Sequence, residues 1–248
     1  MSNPATLPIF ELRQTFTAAL LDPALPNLLI KAPTGSGKST QIPQFVLDSG
    51  LLAEGKRCIV LQPRRIAARM LAQRVARERN ARLGGEVGYQ VRFESAISAA
   101  TKIRFVTEGT LLRRMLDDPE LTGVAAVVFD EFHERHLYGD VTLARAMDLQ
   151  EGKRPALAIL VMSATLQTEE LKRYLAPCQH LVSAGRTYPV EIRYAPPKLV
   201  TGDALPEHAA RICGQAMTQF SEGHALIFMP GAYEIRKTID NREAFICC

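Results

Sequence analysis

Nowhere in the 248 residues does an apolar run approach the ~20 needed to span a bilayer, so neither a membrane helix nor a membrane partner is expected. The N-terminus lacks a basic segment followed by an apolar core, which argues against a secretory signal. Cysteine is sparse: Cys58, Cys178, Cys213, Cys247 and Cys248 include no C-x-x-C pair. Cys178 and His180 form a lone pair without further ligands nearby, so a zinc site is not expected. An odd, scattered set of thiols suits a reducing compartment, and a cytoplasmic location is expected. Internal repeats and low-complexity tracts are also missing, which excludes solenoids and biased disordered segments. The net charge of +4 carries little weight alone.

What is present is an ordinary globular composition, 47% apolar and 23% charged, long enough for one good core or two modest ones. Short apolar runs alternate with amphipathic stretches, the pattern of strand–helix units on a parallel sheet. Strands are predicted at Leu28–Lys31, Cys58–Gln62, Ile103–Thr107, Ala125–Phe129 and Ala158–Met162. Helices are predicted at Phe10–Leu20, Lys38–Asp48, Arg65–Arg79, Thr110–Leu116, Leu137–Leu149 and Glu169–Leu175. The texture changes after Ala184. A turn-rich passage, Gly185 to Pro189, leads to an alternating strand candidate at Val190–Tyr194. A helix at Leu205–Phe220, a strand at Ala225–Met229 and a helix start near Tyr233 then resemble the first unit of another α/β domain. The expected division is residues 1–185 and residues 186–248.

Ala32-Pro33-Thr34-Gly35-Ser36-Gly37-Lys38-Ser39 matches the phosphate-loop pattern, with Ala in place of its first Gly. A predicted strand precedes it and an amphipathic helix follows. Small residues let successive N–H groups turn toward phosphate oxygens, and the helix start adds its positive end. Lys38 is placed to reach β- and γ-phosphates, and the Ser39 hydroxyl to ligate Mg²⁺. A second apolar strand, Val127-Val128-Phe129, ends in Asp130-Glu131. Beside a phosphate loop, Asp130 suits a Mg²⁺ ligand and Glu131 a base for the attacking water. Seven arginines crowd residues 64–82: Arg64, Arg65, Arg69, Arg74, Arg77, Arg79 and Arg82. A solvated helix face and a phosphate-binding surface are both open readings of that run.

Asp130-Glu131-Phe132-His133-Glu134-Arg135-His136 resembles the DEAH-box signature with Phe in third place. Leu61 to Ala68 resembles motif Ia, Val106 to Arg113 motif Ib, and Ser163-Ala164-Thr165 motif III; Thr40 to Phe45 agrees as well. The chain thus resembles the DEAH/RHA branch of superfamily 2 RNA helicases over roughly residues 10 to 240. The Phe variant is similar to the bacterial HrpB-type branch. The resemblance implies an α/β fold with a RecA-like P-loop NTPase domain and the beginning of a second one. It implies ATP and Mg²⁺ as cofactors, with the phosphates enclosed by Thr34, Gly35, Ser36, Gly37, Lys38, Ser39 and Thr40. Arg74 would stack on the base, with weak base selectivity. Lys38, Asp130, Glu131 and His133 would be catalytic, with Ser39 and Asp130 holding the metal. Ser163 and Thr165 would couple nucleotide state to grip.

The resemblance also places Arg64, Arg65, Thr107 and Gly109 along a nucleic-acid backbone track, where phosphate contacts give affinity without sequence information. Single-stranded RNA is the expected partner, with DNA as an alternative. No aromatic ladder offers itself for base stacking. Leu226 to Ile235 resembles motif IV, and the family's motifs V and VI have no counterpart after it. The expectation is a helicase portion truncated after motif IV, which binds ATP, turns it over slowly and unwinds nothing alone. A nucleotide-dependent RNA- or partner-binding module without motor activity and a DNA-directed P-loop ATPase are the alternatives. His136 reads as a helix-cap or surface residue, and Met147 and Met162 as core.

Overall fold

The computed structural model describes residues 7–53, 55–164, 168–185, 189–195, 205–220 and 222–246. It forms two compact units, Met1–Thr187 and Tyr188–Cys248. The first contains an eight-stranded sheet built from β1 (Asn27–Lys31), β2 (Arg57–Gln62), β3 (Val87–Val91), β4 (Glu94–Ala96), β5 (Ile103–Thr107), β6 (Val124–Phe129), β7 (Ala158–Ser163) and β8 (Cys178–Val182). Their spatial order is β4-β3-β5-β2-β6-β7-β1-β8. Every pairing is parallel except β3 with β4.

Parallel strands covered on both faces must be apolar on both, and the side chains divide accordingly. Leu28, Ile30, Cys58, Val60, Phe105 and Val128 enter one buried cluster with α1 (Arg13–Leu20), α2 (Lys38–Asp48) and α3 (Arg65–Glu78). Leu29, Ile59, Leu61, Val106, Phe129 and Val161 enter a second cluster with α4 (Glu108–Asp117) and α5 (Leu137–Glu151). Met147 and Met162 are buried in these clusters. A short helix, α6 (Thr168–Tyr174), precedes the edge strand β8.

Three sequence expectations need correction. The helix predicted from Phe10 begins as a 3-10 turn at Pro8–Leu12, and α-helix starts only at Arg13. Proline suits a helix start, so the turn is nucleated before the apolar periodicity becomes readable. The β3–β4 hairpin and β8 lie where no strand was predicted. Gly88 and Gln90 interrupt β3's apolar pattern, but Gly88 is what lets the β4 backbone approach, because a Cβ there would strike Ala96 O. Conversely, no strand forms at 189–195 or 222–230. Alternation makes a half-buried strand only beside a pairing partner. Here Val190, Tyr194 and Phe228 are exposed.

In the second unit α7 (Leu205–Gln219) packs with α8 (Ala232–Ile246). His208 Nε2 meets Ala195 O at 2.6 Å, and Arg193 donates to Gln219 Oε1 at 3.0 Å. Among the described residues no helix is long and apolar enough to cross a membrane.

Candidate functional site

The carboxyl ends of β1, β2, β6 and β7 converge on one edge, where open α/β sheets bind ligands. β1 runs into the loop through buried Ala32, whose N–H donates to Ser163 O at the end of β7 (3.2 Å). The Ser36 N–H closes a turn onto Pro33 O at 3.2 Å, and Ser36 O accepts from Ile9 N–H at the same distance. Gly35 and Gly37 hold φ of +80° and +94°, a region costly for side chains. At Gly37 a Cβ would also lie 2.8 Å from Leu7 Cδ1. Gly37 O then receives Gln41 N–H (2.9 Å), Thr40 N–H (3.2 Å) and Thr40 Oγ1 (3.1 Å), starting α2. Thr34 and Gly35 stand exposed at the crown of the loop, with Ser39 and Thr40 half-buried behind it. Ser36 is buried, and its hydroxyl has no hydrogen-bond partner among the described residues.

Lys38 is 3% exposed, and its ammonium sits 3.0 Å from Glu131 Oε1. A buried cation needs such a counter-charge. Glu131 occupies the left-handed region at φ +50°, a strained position for a non-glycine residue. Its other oxygen lies 3.3 Å from His133 Nε2. On the far side of that ring Ala164 N–H donates to Nδ1 at 3.4 Å. Nδ1 is therefore the acceptor, and Nε2 carries the hydrogen that faces Glu131. An unbroken polar chain thus links Lys38, Glu131, His133 and the backbone just beyond β7.

Asp130 is buried beside it. Desolvation pushes its carboxyl above the ordinary range; hydrogen bonds from Gln62 and Ser39 pull the other way, Glu131 raises it further and Lys38 lowers it. Gln62, at the end of β2, donates to Asp130 Oδ2 at 2.6 Å, and Glu131 N–H donates to Oδ1 at 2.9 Å. A buried, under-compensated carboxylate touching a serine hydroxyl is a hard-oxygen donor pair that suits Mg²⁺. The orphaned Ser36 hydroxyl and the cradle at Gly35–Gly37 suit phosphate oxygens. The residues therefore fit a Mg²⁺–triphosphate.

The remaining expected residues fall into separate places. Arg74, on α3, donates to Glu78 Oε1, and Glu78 Oε2 also receives Gln41 (2.8 Å) and Gln44 (2.9 Å) from α2. Arg64 is exposed and lies 3.4 Å from Glu134, while Arg65 donates to Arg92 O at 2.9 Å. Thr107 and Thr110 hydroxyls meet at 2.8 Å where α4 begins, and Gly109 faces open space. Ser163 ends β7 against the loop; Thr165 lies outside the described residues. His136 precedes α5 and faces Glu108 (3.4 Å) and Glu134 (3.6 Å). Arg79, which the arginine run left among the solvated candidates, instead bridges Asp48 (3.0 Å) and Glu86 (2.7 Å). Sequence reasoning passed over Gln62, Gln41, Gln44 and Glu78, since only their pairing across elements marks them.

Known proteins resemble this chain over most of its length. The DEAD/DEAH box helicase family description matches residues 13–174. The chain is 42% identical over 218 residues to the Escherichia coli ATP-dependent RNA helicase HrpB, covering 86% of this chain and 26% of that protein. It is 38% identical over 241 residues to the Saccharomyces cerevisiae probable ATP-dependent RNA helicase DHR2, covering 96% and 32%. The crystal structure of E. coli DEAH/RHA helicase HrpB superposes with a TM-score of 0.85 at 37% identity, covering 96% of this chain and 30% of that one. The α/β, RecA-like fold expected from the sequence is the fold found. The chain spans about a quarter to a third of the length of these relatives.

Proposed function

Since this chain belongs to the DEAD/DEAH box helicase family, we propose that it binds ATP–Mg²⁺ at Ala32–Ser39 and couples hydrolysis to a grip on single-stranded RNA, serving an ATP-dependent RNA helicase. The observation that carries the nucleotide reading is the pair of buried Lys38 and half-buried Glu131 at 3.0 Å, one residue from Asp130. Glu131 neutralises Lys38. A triphosphate offers Lys38 a stronger anionic partner, and the ammonium turns to it. Glu131 is then released to take a proton from water, held in place by the Nε2 hydrogen of His133.

Ser39 and Asp130 would hold Mg²⁺, which would supply charge neutralisation for phosphoryl transfer. Gly35, Ser36, Gly37 and Thr40 complete the cradle, with Thr34 at its rim. Arg74, released from Glu78, would cover the base. Ser163 and the His133–Ala164 contact would carry the state of the site along β7, with Thr165 taking part in the same coupling. Arg64, Arg65, Thr107 and Gly109 would meet RNA phosphates. The relatives' described function supports RNA over DNA as the substrate. Residues 186–248 would be a linker and the beginning of a second RecA-like domain.

The test is titration of a fluorescent ATP analogue with Mg²⁺, together with ATP turnover with and without poly(U) RNA. Lys38→Ala is expected to weaken nucleotide binding by at least ~10², of the order of a lost charged hydrogen-bond network. Glu131→Gln should bind nucleotide at near-normal affinity and lose turnover. Undiminished nucleotide affinity in Lys38→Ala would overturn the assignment. Preference for a DNA strand over RNA at equal salt would overturn the substrate.

A further inference from the structure

Beside the proposed grip, the first unit carries a cleft of about 800 Å³ along the flank of α4, above β3 and β5. It is lined by Arg65, Thr107 and Gly109 and, further along α4 and β5, by buried Arg104, half-buried Arg114 and exposed Arg113. Arg92 also lines it, making five arginines against two carboxylates, Glu108 and Asp117. Both carboxylates are engaged: Glu108 faces His136 at 3.4 Å, and Asp117 faces Arg113 at 3.9 Å. The cleft therefore holds an excess of positive charge within low-dielectric walls, where a field is focused rather than screened.

Arg104 and Arg114 are unusually short of partners. Arg104 rises from β5, is 8% exposed and donates one Nη2 hydrogen to Ser98 O at 3.3 Å. Its Nε–H is buried with no acceptor among the described residues, and the same is true of Arg114 and of neighbouring Arg57. Asp118 approaches Arg114 only at 4.0 Å. Desolvation, then repulsion from Arg57 and Arg114, lowers the Arg104 guanidinium to about 10. It stays protonated at neutral pH, so the fold carries three clustered cations at a cost. Burying charge in this way is unfavourable unless an anion completes the site.

We propose that this cleft is a phosphate-binding trough, in which Arg104, Arg113 and Arg114 take backbone phosphates of the nucleic-acid strand beyond those met at Thr107 and Gly109. The inference rests on the nucleic-acid reading above. Two observations favour a phosphate over a carboxylate peptide. The trough is continuous with the residues assigned to the backbone track. Its donors are guanidinium forks, which pair with phosphate oxygens two at a time.

The test is fluorescence anisotropy of a labelled poly(U) oligonucleotide on the 248-residue chain over a series of KCl concentrations. The variants are Arg113→Glu, Arg104→Gln, Arg104→Lys and, on the proposed grip, Arg65→Glu. Arg113 is highly exposed, so its variant should fold even if Arg104→Gln does not. The expected result is that Arg113→Glu and Arg104→Gln each reduce the slope of log Kd against log salt by ~0.7, the value of one lost single-strand phosphate contact. Arg104→Lys, which keeps the charge, should recover part of the loss. If Arg65→Glu weakens RNA while the Arg104 and Arg113 variants leave both affinity and slope unchanged, the trough is wrong and the grip stands. If all variants, Arg65→Glu included, bind RNA like the parent, the nucleic-acid reading falls and the trough with it. Competition separates the sources: inorganic phosphate or polyglutamate that binds only to chains with intact Arg104 and Arg113, yet leaves the oligonucleotide bound, would overturn the assignment to a strand.

Discussion

Asp130 is held by one group distant in sequence and by one next to it. Gln62 donates to one oxygen and its neighbour's amide to the other. Burial raises its pKa, so the folded chain holds that proton more tightly than the unfolded one does. Ionisation of Asp130 therefore lowers stability as pH rises through the carboxylate range, and a bound cation would return what ionisation takes. Gln62 fixes which oxygen lone pairs remain for that cation. Partners that orient a metal ligand are typically worth ~10–100-fold in metal affinity or activity. Gln62→Ala is accordingly expected to raise the Mg²⁺ concentration for half-maximal ATP turnover by ~10-fold or more, with metal-free nucleotide affinity unchanged. A Mg²⁺ titration identical to the parent would remove Gln62 from that role. Because Gln62 leads directly into Pro63, Arg64 and Arg65, it also joins the acidic pair to the proposed RNA track through one side chain.

At the scale of elements, the strands that could be read were those buried on both faces. β1, β2, β5, β6 and β7 are near-continuous apolar runs because helices cover each side. β8 was missed because an edge strand, Cys178-Gln179-His180-Leu181-Val182, carries polar residues on a partly exposed surface. The alternation at 190–194 and the apolar run at 225–229 misled for the opposite reason, since neither has a pairing strand beside it among the described residues. The loop between β1 and α2 was legible because its chemistry is local. Gly37 shows how tightly that element is specified: it needs a left-handed φ, and a side chain would press on Leu7. Gly37→Ala should cost at least the ~1–2 kcal/mol of a left-handed alanine, a Tm fall of roughly 2–8 °C at this chain length. Mg²⁺–ATP should then give little or no recovery of Tm, because the cradle is displaced with the turn. Recovery as large as the parent's would show that Gly37 shapes the fold without shaping the site.

At the scale of the whole molecule, stability and the proposed nucleotide site reside in the same unit. Every strand of the sheet, both buried apolar clusters and the chain of contacts from Lys38 to Ala164 lie within Met1–Thr187. The second unit has buried side chains such as Ala210 and Cys213, but its 222–230 stretch leaves Leu226 and Phe228 exposed. A core that needs nothing from residues beyond 187 should fold without them. A polypeptide of residues 1–187 is therefore expected to unfold cooperatively within a few degrees of the 248-residue chain. Its Mg²⁺–ATP affinity should stay within about threefold, a difference well below 1.4 kcal/mol. Calorimetry and the fluorescent nucleotide titration, run on both lengths, decide it. A shorter chain that melts without a transition, or binds nucleotide more than tenfold worse, would mean that residues 188–248 complete the first unit rather than follow it.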